Sequence, residues 1–252
     1  MKTNRKIVVR QSSGNTELLC LPPDKNVSDA ICALWFEPSF WKKQSQVIGQ
    51  SKGRHTTWFV QPPSDVSSTP WVLRHYYRGG MVSKITHDQF FYLGLKNTRP
   101  YKELLLLDWM YRQGLPVPKP IGARIVKGLL LYKADLLMEK LAASDLVALL
   151  TKRELSESQW QNIGELVARF HNKGIYHADL NAHNILMDDN DKIWLIDFDR
   201  CEVRKSSFQW QNQNIQRLHR SFLKEKQQLS VFNFNDFNWQ MLLKGYKNKL
   251  NT

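Results

Sequence analysis

The segment Tyr176-His177-Ala178-Asp179-Leu180-Asn181-Ala182-His183-Asn184-Ile185-Leu186 sets a carboxylate, Asp179, five residues ahead of a carboxamide, Asn184. Thirteen residues beyond Asn184 comes Asp197-Phe198-Asp199, at the end of an apolar run. Asn184 precedes the β-type piece Ile185-Leu186-Met187, and Asp197 follows a second one, Lys192-Ile-Trp-Leu-Ile196, with Asp188–Asp191 as the turn. A hairpin of this form brings Asn184 and Asp197 near each other. Two oxygen donors, one of them anionic, suit a hard cation such as Mg²⁺ that keeps its other positions for water and phosphate. A separate Asp nearby can orient an alcohol and accept its proton. This is the layout that phosphoryl transfer requires, with positioning and electrostatics supplied by the protein and little covalent work.

The elements that must hold these groups read as a strand-rich first half and a helix-rich second half, meeting near residue 140. Asp29 to Trp41 carries Ala30, Ile31, Leu34, Trp35 and Phe36 at the spacing of a short amphipathic helix. Val47–Val60 reads as a hairpin with a glycine-containing turn, and Trp71–Tyr77 as a third strand ended by Gly79-Gly80. Thr98 can cap a helix with Pro100 in its first turn, and Gly114 stops it. Three prolines in Leu115–Pro120 exclude helix there. Ile121–Val126 and Leu129–Leu137 read as two strands around Lys127-Gly128. Ser156 with Gln159 forms a capping-box pattern. Trp160, Ile163, Leu166, Val167 and Phe170 then share one helix face that Gly174 ends. From about Ser206 the chain is again helical. Two lobes with a cleft between them are expected.

His177-x-Asp179-x-x-x-x-Asn184 followed by Asp197-Phe198 resembles the catalytic loop and metal-binding motif of the protein-kinase-like fold. The fold class expected is therefore α+β, one two-lobed kinase-like domain. The N-lobe would span about 1–138, the hinge 138–142 and the shortened helical C-lobe 143–252. The resemblance implies ATP and Mg²⁺, with Asp179 as the catalytic base and Asn184 and Asp197 as metal ligands. It places Gly49 and Gly53 in the phosphate-covering turn between the first two strands. On the third strand Arg74 stands where kinases usually carry Lys, and Lys84 is an alternative for the same role. Glu103 matches the helix carboxylate that pairs with that cation. Leu137–Leu141 falls where the adenine-binding hinge belongs, so the backbone of Glu139 and Leu141 would meet the base, and Asp145 the ribose.

Departures narrow the expectation. Ala178 replaces the Arg that protein kinases commonly carry between His and Asp, so control by activation-loop phosphorylation is not expected. Asp199 replaces the Gly of the metal motif. Only 55 residues follow Asp197, with no Ala-Pro-Glu motif among them, which points away from peptide substrates and toward a small or lipid-linked one. Leu73–Gly80, Thr98–Glu103, Gly114–Pro118 and His177–Asn184 together are similar to the bacterial 3-deoxy-D-manno-octulosonic acid (Kdo) kinases, a lipopolysaccharide-core sugar kinase family. The match runs from about Gly49 to Phe222. That resemblance implies phosphorylation of the 4-hydroxyl of Kdo on a Kdo–lipid A precursor, using ATP, at the cytoplasmic face of the inner membrane. Arg78 and Arg99 are candidates for the sugar carboxylate or lipid phosphates.

Composition agrees with an acidic partner. Among 252 residues, 36 Lys and Arg against 23 Asp and Glu leave a formal charge of +13, which favours nucleic acid, phosphorylated substrate or an anionic membrane surface. Arg204–Lys226 holds six cations against one acid, Glu225, interleaved with Trp210, Leu218 and Phe222; the segment reads either as membrane-facing or as core with solvated charges. Three separated cysteines exclude a zinc ribbon and make a disulfide framework unexpected. No signal peptide or ~20-residue apolar span is read, so the chain is expected in the cytosol or attached to a membrane from the cytosolic side; the Kdo kinase resemblance implies the inner-membrane surface, as a peripheral protein. No nucleic acid is expected as partner, because no zinc finger, RNA-recognition motif or basic zipper is present. A heptose kinase of the same pathway and an aminoglycoside-type phosphotransferase are the alternatives among enzymes; a basic nucleic-acid-binding protein and a pseudokinase scaffold are those outside them. Oligomeric state is open.

Overall fold

In the computed structural model of the chain, residues 7–11, 14–21, 31–52, 56–78 and 88–250 are described. Two compact units result, one of residues 1–109 and 118–141, the other of residues 110–117 and 142–252.

The first unit is built on an antiparallel sheet. Its strands are β1 (Val8–Gln11), β2 (Thr16–Cys20), β3 (Val47–Lys52), β4 (Thr56–Val60), β5 (Trp71–His75), β6 (Phe90–Phe91), β7 (Pro120–Lys127) and β8 (Leu131–Glu139). They run in the order β1-β2-β7-β8-β5-β4-β3, with β6 added along β8. Alternation sets the faces: in β5, Trp71 and Leu73 are buried, while Val72 and Arg74 are only half-buried. The buried side packs on Trp35, Phe36 and Trp41, whose indole N–H donates to the Trp35 carbonyl at 2.8 Å. The amphipathic helix expected from Asp29 to Trp41 is broken in two. A single 3-10 turn covers Ala33–Phe36, and α1 covers Pro38–Lys43. Pro38 is the reason: it disfavours helical geometry at Glu37, which sits at φ −107° and ψ 115°, and then starts α1 itself. Residues 29 and 30 lie outside the described residues.

Helix α2 (Arg99–Arg112) follows a 3-10 turn at Leu95–Asn97. Thr98 does not cap it as expected; its hydroxyl is turned back and donates to the Leu95 carbonyl at 2.7 Å. Leu104, Leu107 and Met110 bury the inner stripe of the helix.

The second unit is helical with small sheets. Its elements are β9 (Ser144–Asp145), α3 (Leu146–Leu150), α4 (Glu157–Asn172), β10 (Ile175–Tyr176), β11 (Ile185–Met187), β12 (Ile193–Leu195), β13 (Glu202–Val203), α5 (Phe208–Gln228) and α6 (Asp236–Lys249). The Ser156/Gln159 capping box forms in full, and the expected apolar stripe of α4, from Trp160 to Phe170, is buried. Gly174 past the helix end sits at φ 72°, where a side chain is disfavoured. Helices α4 and α6 approach closely through a pair of glycines. A Cβ on Gly164 would lie 1.9 Å from the Leu242 carbonyl oxygen, and one on Gly245 would lie 2.0 Å from that of Gln161. Only the absence of both side chains permits this crossing. None of the described helices is long and apolar enough to cross a membrane.

Candidate active site

In the second unit the loop between β10 and β11 is fastened from three directions. His177 is buried and its imidazole spans the loop. Nδ1 accepts from the Asp179 N–H at 3.2 Å, which leaves Nε2–H to donate to the Ile196 carbonyl at 3.0 Å. Burial pushes this histidine below its ordinary value, against the pull of the Ile196 carbonyl and the Asp197 and Asp179 charges, so the neutral tautomer fits the bonds it makes. Its ring packs on Phe198, which stacks on Phe170 of α4. Asn184 Nδ2 donates to the Asp179 carbonyl at 2.9 Å, and Asn181 Nδ2 donates to the same carbonyl at 3.0 Å. With its NH₂ so used, Asn184 keeps Oδ1 as its acceptor.

The β11–β12 pairing runs Ile185↔Leu195 through Met187↔Ile193, and the Ile196 N–H donates to the Asn184 carbonyl at 2.9 Å. Asp197 therefore begins one residue beyond the main-chain partner of Asn184, as the hairpin reading requires. Asp197 is held at φ 61°, a left-handed conformation that Asp tolerates better than most residues. Among the described residues no group of three or more His, Cys, Asp or Glu side chains could hold a metal ion. The donor set at hand, one carboxamide oxygen and one carboxylate, nevertheless fits Mg²⁺ of the kind that arrives on nucleotide phosphates and keeps its water, rather than an ion caged by protein.

Helix α5 supplies the third fastening. Asn214 accepts from the His177 N–H at 3.1 Å and donates to the His177 carbonyl at 3.1 Å; Ser221 Oγ accepts from the Ala182 N–H at 3.0 Å. One turn away, the Arg217 guanidinium donates to Asp179 Oδ1. Asp179 is half exposed, which leaves the carboxylate within reach of a bound alcohol. Trp210, Leu218 and Phe222 are buried, whereas Phe208 is 80% exposed and Leu223 37% exposed, so the apolar residues of Arg204–Lys226 divide between core and surface. Arg204 lies over the Tyr176 ring at 3.5 Å and pairs with Glu202. The Cys201 thiol accepts from the Ala178 N–H at 3.2 Å.

Asp145, of which a ribose contact is expected, is engaged within its own unit. It caps α3 by accepting from the Ala148 N–H at 3.1 Å, and it lies 3.3 Å from His183, which also reaches Glu225 at 3.4 Å. Burial would raise the Asp145 carboxyl, but the bond to His183 and the Ala148 N–H hold it below its ordinary value. His183 is raised in turn by its hydrogen bond to Asp145.

In the first unit Arg74 and Glu103 meet. Arg74 Nη2 lies 2.6 Å from both Glu103 oxygens, and Tyr76 Oη donates to Glu103 Oε2 at 2.6 Å. Glu103 is only 2% exposed, so its charge depends on these donors. Gly49 lies within β3 opposite Phe59, beside an irregularity in the pairing after Val47, and not in the turn expected to hold it. Pairing continues to Lys52↔Thr56, which moves the turn past Gly49. Gly53 and Lys84 lie outside the described residues. Glu139 closes β8; its N–H donates to the Lys119 carbonyl at 2.9 Å and its carboxylate lies 3.4 Å from Lys119 Nζ. Leu141 is the last residue of the unit. Sequence reasoning missed Tyr76, Asn181, Asn214, Ser221 and the pairing of Arg217 with Asp179. Only Asn181, two residues from Asp179 and three from Asn184, carried a local signal, as the residue whose side chain accepts from the Asn184 N–H.

Known proteins resemble the chain over most of its length. A 3-deoxy-D-manno-octulosonic acid kinase of Mannheimia succiniciproducens is 49% identical over 219 residues, covering 85% of this chain and 90% of that protein. One from Actinobacillus succinogenes is 44% identical with the same coverage. One from Haemophilus influenzae is 45% identical over 218 residues, covering 84% and 89%. Among solved structures, the Rio2 kinase–ADP/Mg²⁺–phosphoaspartate complex from Chaetomium thermophilum is 14% identical, with a TM-score of 0.46 over 82% of this chain and 73% of that one. The strand-rich first unit and the helical second unit make this an α+β fold. The lipopolysaccharide kinase (Kdo/WaaP) family model matches residues 38–246, and the chain belongs to that family.

Proposed function

We propose that the chain is an ATP-dependent sugar kinase that phosphorylates the 4-hydroxyl of Kdo on a Kdo–lipid A precursor, in lipopolysaccharide core biosynthesis. The observation that carries this reading is the fastened loop: an accessible Asp179, tied through its own carbonyl to Asn184 and through His177 to Ile196, the residue between β12 and Asp197. Relatives of 44–49% identity that bear the Kdo kinase name support the sugar assignment.

On this reading Asp179 receives the proton of the acceptor hydroxyl as its oxygen bonds to the γ-phosphorus and the bond to the β–γ bridging oxygen breaks, releasing ADP. Asn184 Oδ1 and the Asp197 carboxylate would hold Mg²⁺, whose contribution when bound is to neutralise charge on the nucleotide phosphates. Arg74, oriented by Glu103 and Tyr76, would grip phosphate in bidentate fashion. The Glu139 carbonyl and the Leu141 N–H would meet the adenine edge. Arg217 fixes Asp179 before an acceptor arrives, and it is the cation placed to meet an acid group on the sugar. The acceptor is lipid-linked, so the reading places the chain at an anionic membrane surface, the cytoplasmic face of the inner membrane.

Mass spectrometry of a Kdo–lipid A precursor incubated with ATP and the protein tests the reading. A single added phosphate on the Kdo portion is expected. Transfer instead to heptosylated core or to an aminoglycoside, with none to Kdo, would overturn it.

A further inference from the structure

The hairpin between β7 and β8 ends in an apolar tip that, among the described residues, no part of this chain covers. Gly128, Leu129 and Leu130 form the turn, closed by the Gly128 N–H donating to the Leu131 carbonyl at 2.7 Å. Leu129 is 98% exposed and Leu130 69% exposed. Strand β6 lies beside it through Phe90↔Tyr132 and Phe91↔Leu131, and the Tyr92 N–H donates to the Leu130 carbonyl at 2.9 Å. That pairing sets Phe91 and Leu93, the latter 76% exposed, next to the tip. A hollow of about 460 Å³, lined among others by Leu129, Leu131 and Tyr132, opens alongside. Four large apolar side chains so exposed and so grouped are unusual on a water-facing surface.

The surroundings are cationic. Arg99 lies 4.4 Å from the Phe90 ring centroid, Arg78 lies 5.7 Å from that of Phe91, and Lys127 lies 5.5 Å from that of Tyr92. Lys96 and Lys133 are exposed along the same two segments. Against these five cations stand Asp88, which lies 2.8 Å from Lys133, and Glu17, which lies 2.8 Å from Lys127. An apolar tip ringed by Lys and Arg complements one kind of surface, an anionic lipid interface, where the leucines enter the headgroup–acyl boundary and the cations stay at the phosphates. A second copy of this chain would bring the same positive ring against itself.

We infer that the β7–β8 hairpin tip, with Phe91 and Leu93, is a membrane-docking surface that inserts into anionic bilayers. The inference rests on the lipid-linked acceptor proposed above, and it moves the membrane contact from the 204–226 segment to the first unit.

The test is co-flotation of the full chain with vesicles containing phosphatidylglycerol and with vesicles of phosphatidylcholine alone, comparing the native chain with Leu129→Asp/Leu130→Asp. The native chain should float with the anionic vesicles, less so in high salt, and the variant should partition at least about tenfold more weakly. Because both leucines stand in solvent, the thermal midpoint and phosphate transfer to a deacylated, water-soluble Kdo acceptor should not change. Equal flotation of native chain and variant, equal binding to the neutral vesicles, or a dimer that the variant dissolves with no flotation at all would each overturn the inference. Failure of the sugar reading looks different: no transfer to any Kdo acceptor, with flotation still dependent on the leucines.

Discussion

Arg74 and Glu103 lie 29 residues apart and meet only because β5 and α2 pack together, with the carboxylate buried at 2% exposure. Asp179 and Asn184 lie five residues apart, and the carboxylate stands half exposed on a loop whose main chain is tied to β12, to itself and to α5. One cluster keeps its charges by hiding them together. The other keeps its geometry through backbone bonds and leaves its charge open to a substrate. Loss of a partner should therefore damage folding in the first unit and chemistry in the second.

The sharpest way to break that contrast is Asp179→Ala. Phosphate transfer should fall at least about a thousandfold, with thermal midpoint and nucleotide affinity by calorimetry little changed; a large drop in midpoint would mean the loop depends on this carboxylate. Glu103→Ala should show the opposite balance. It removes the carboxylate that faces the largely buried Arg74 and should cost about 2–4 kcal/mol in urea unfolding, with Glu103→Gln recovering part of the loss. Arg217→Ala tests the exposed pair. Such pairs contribute about 1 kcal/mol or less to stability, so the fold should be unmoved. The KM for the acidic acceptor should rise about tenfold, as for a lost charge-assisted hydrogen bond. An unchanged KM would confine Arg217 to holding Asp179.

The smallest effect should come from pH. Burial acts to lower His75, but its hydrogen bonds to Asp135 at 2.6 Å and Asp88 at 3.2 Å, and the charges of both, outweigh burial and raise it above 6.5. A proton bound more tightly in the folded state stabilises below the unfolded value, and that contribution is lost as pH rises through the raised one. Denaturation midpoints of the native chain should thus exceed those of His75→Asn at low pH, with the difference shrinking in mildly alkaline buffer.

The same contrast explains what could be read beforehand. The loop from His177 to Asn184 and the hairpin to Asp197 were legible because their partners are near in sequence, so spacing alone brings them together. The α4 cap and stripe were legible for the same reason. The Arg74–Glu103 pairing came from family likeness, since nothing local in either segment points to the other. Tyr76 and the Asn214, Arg217 and Ser221 side of α5 depend on tertiary packing that periodicity does not encode. The helix expected at Asp29–Trp41 ignored what Pro38 does to the residue before it. Gly49 was misplaced because a strand's end depends on its partner, here β4, and not on its own residues.

One backbone detail has a cost that selection must tolerate. Asp197 adopts a left-handed conformation that glycine would occupy with about 1 kcal/mol less strain. In its proposed role the carboxylate is indispensable, so a library selected only for heat resistance should drift to glycine at this position and yield sturdier, silent proteins.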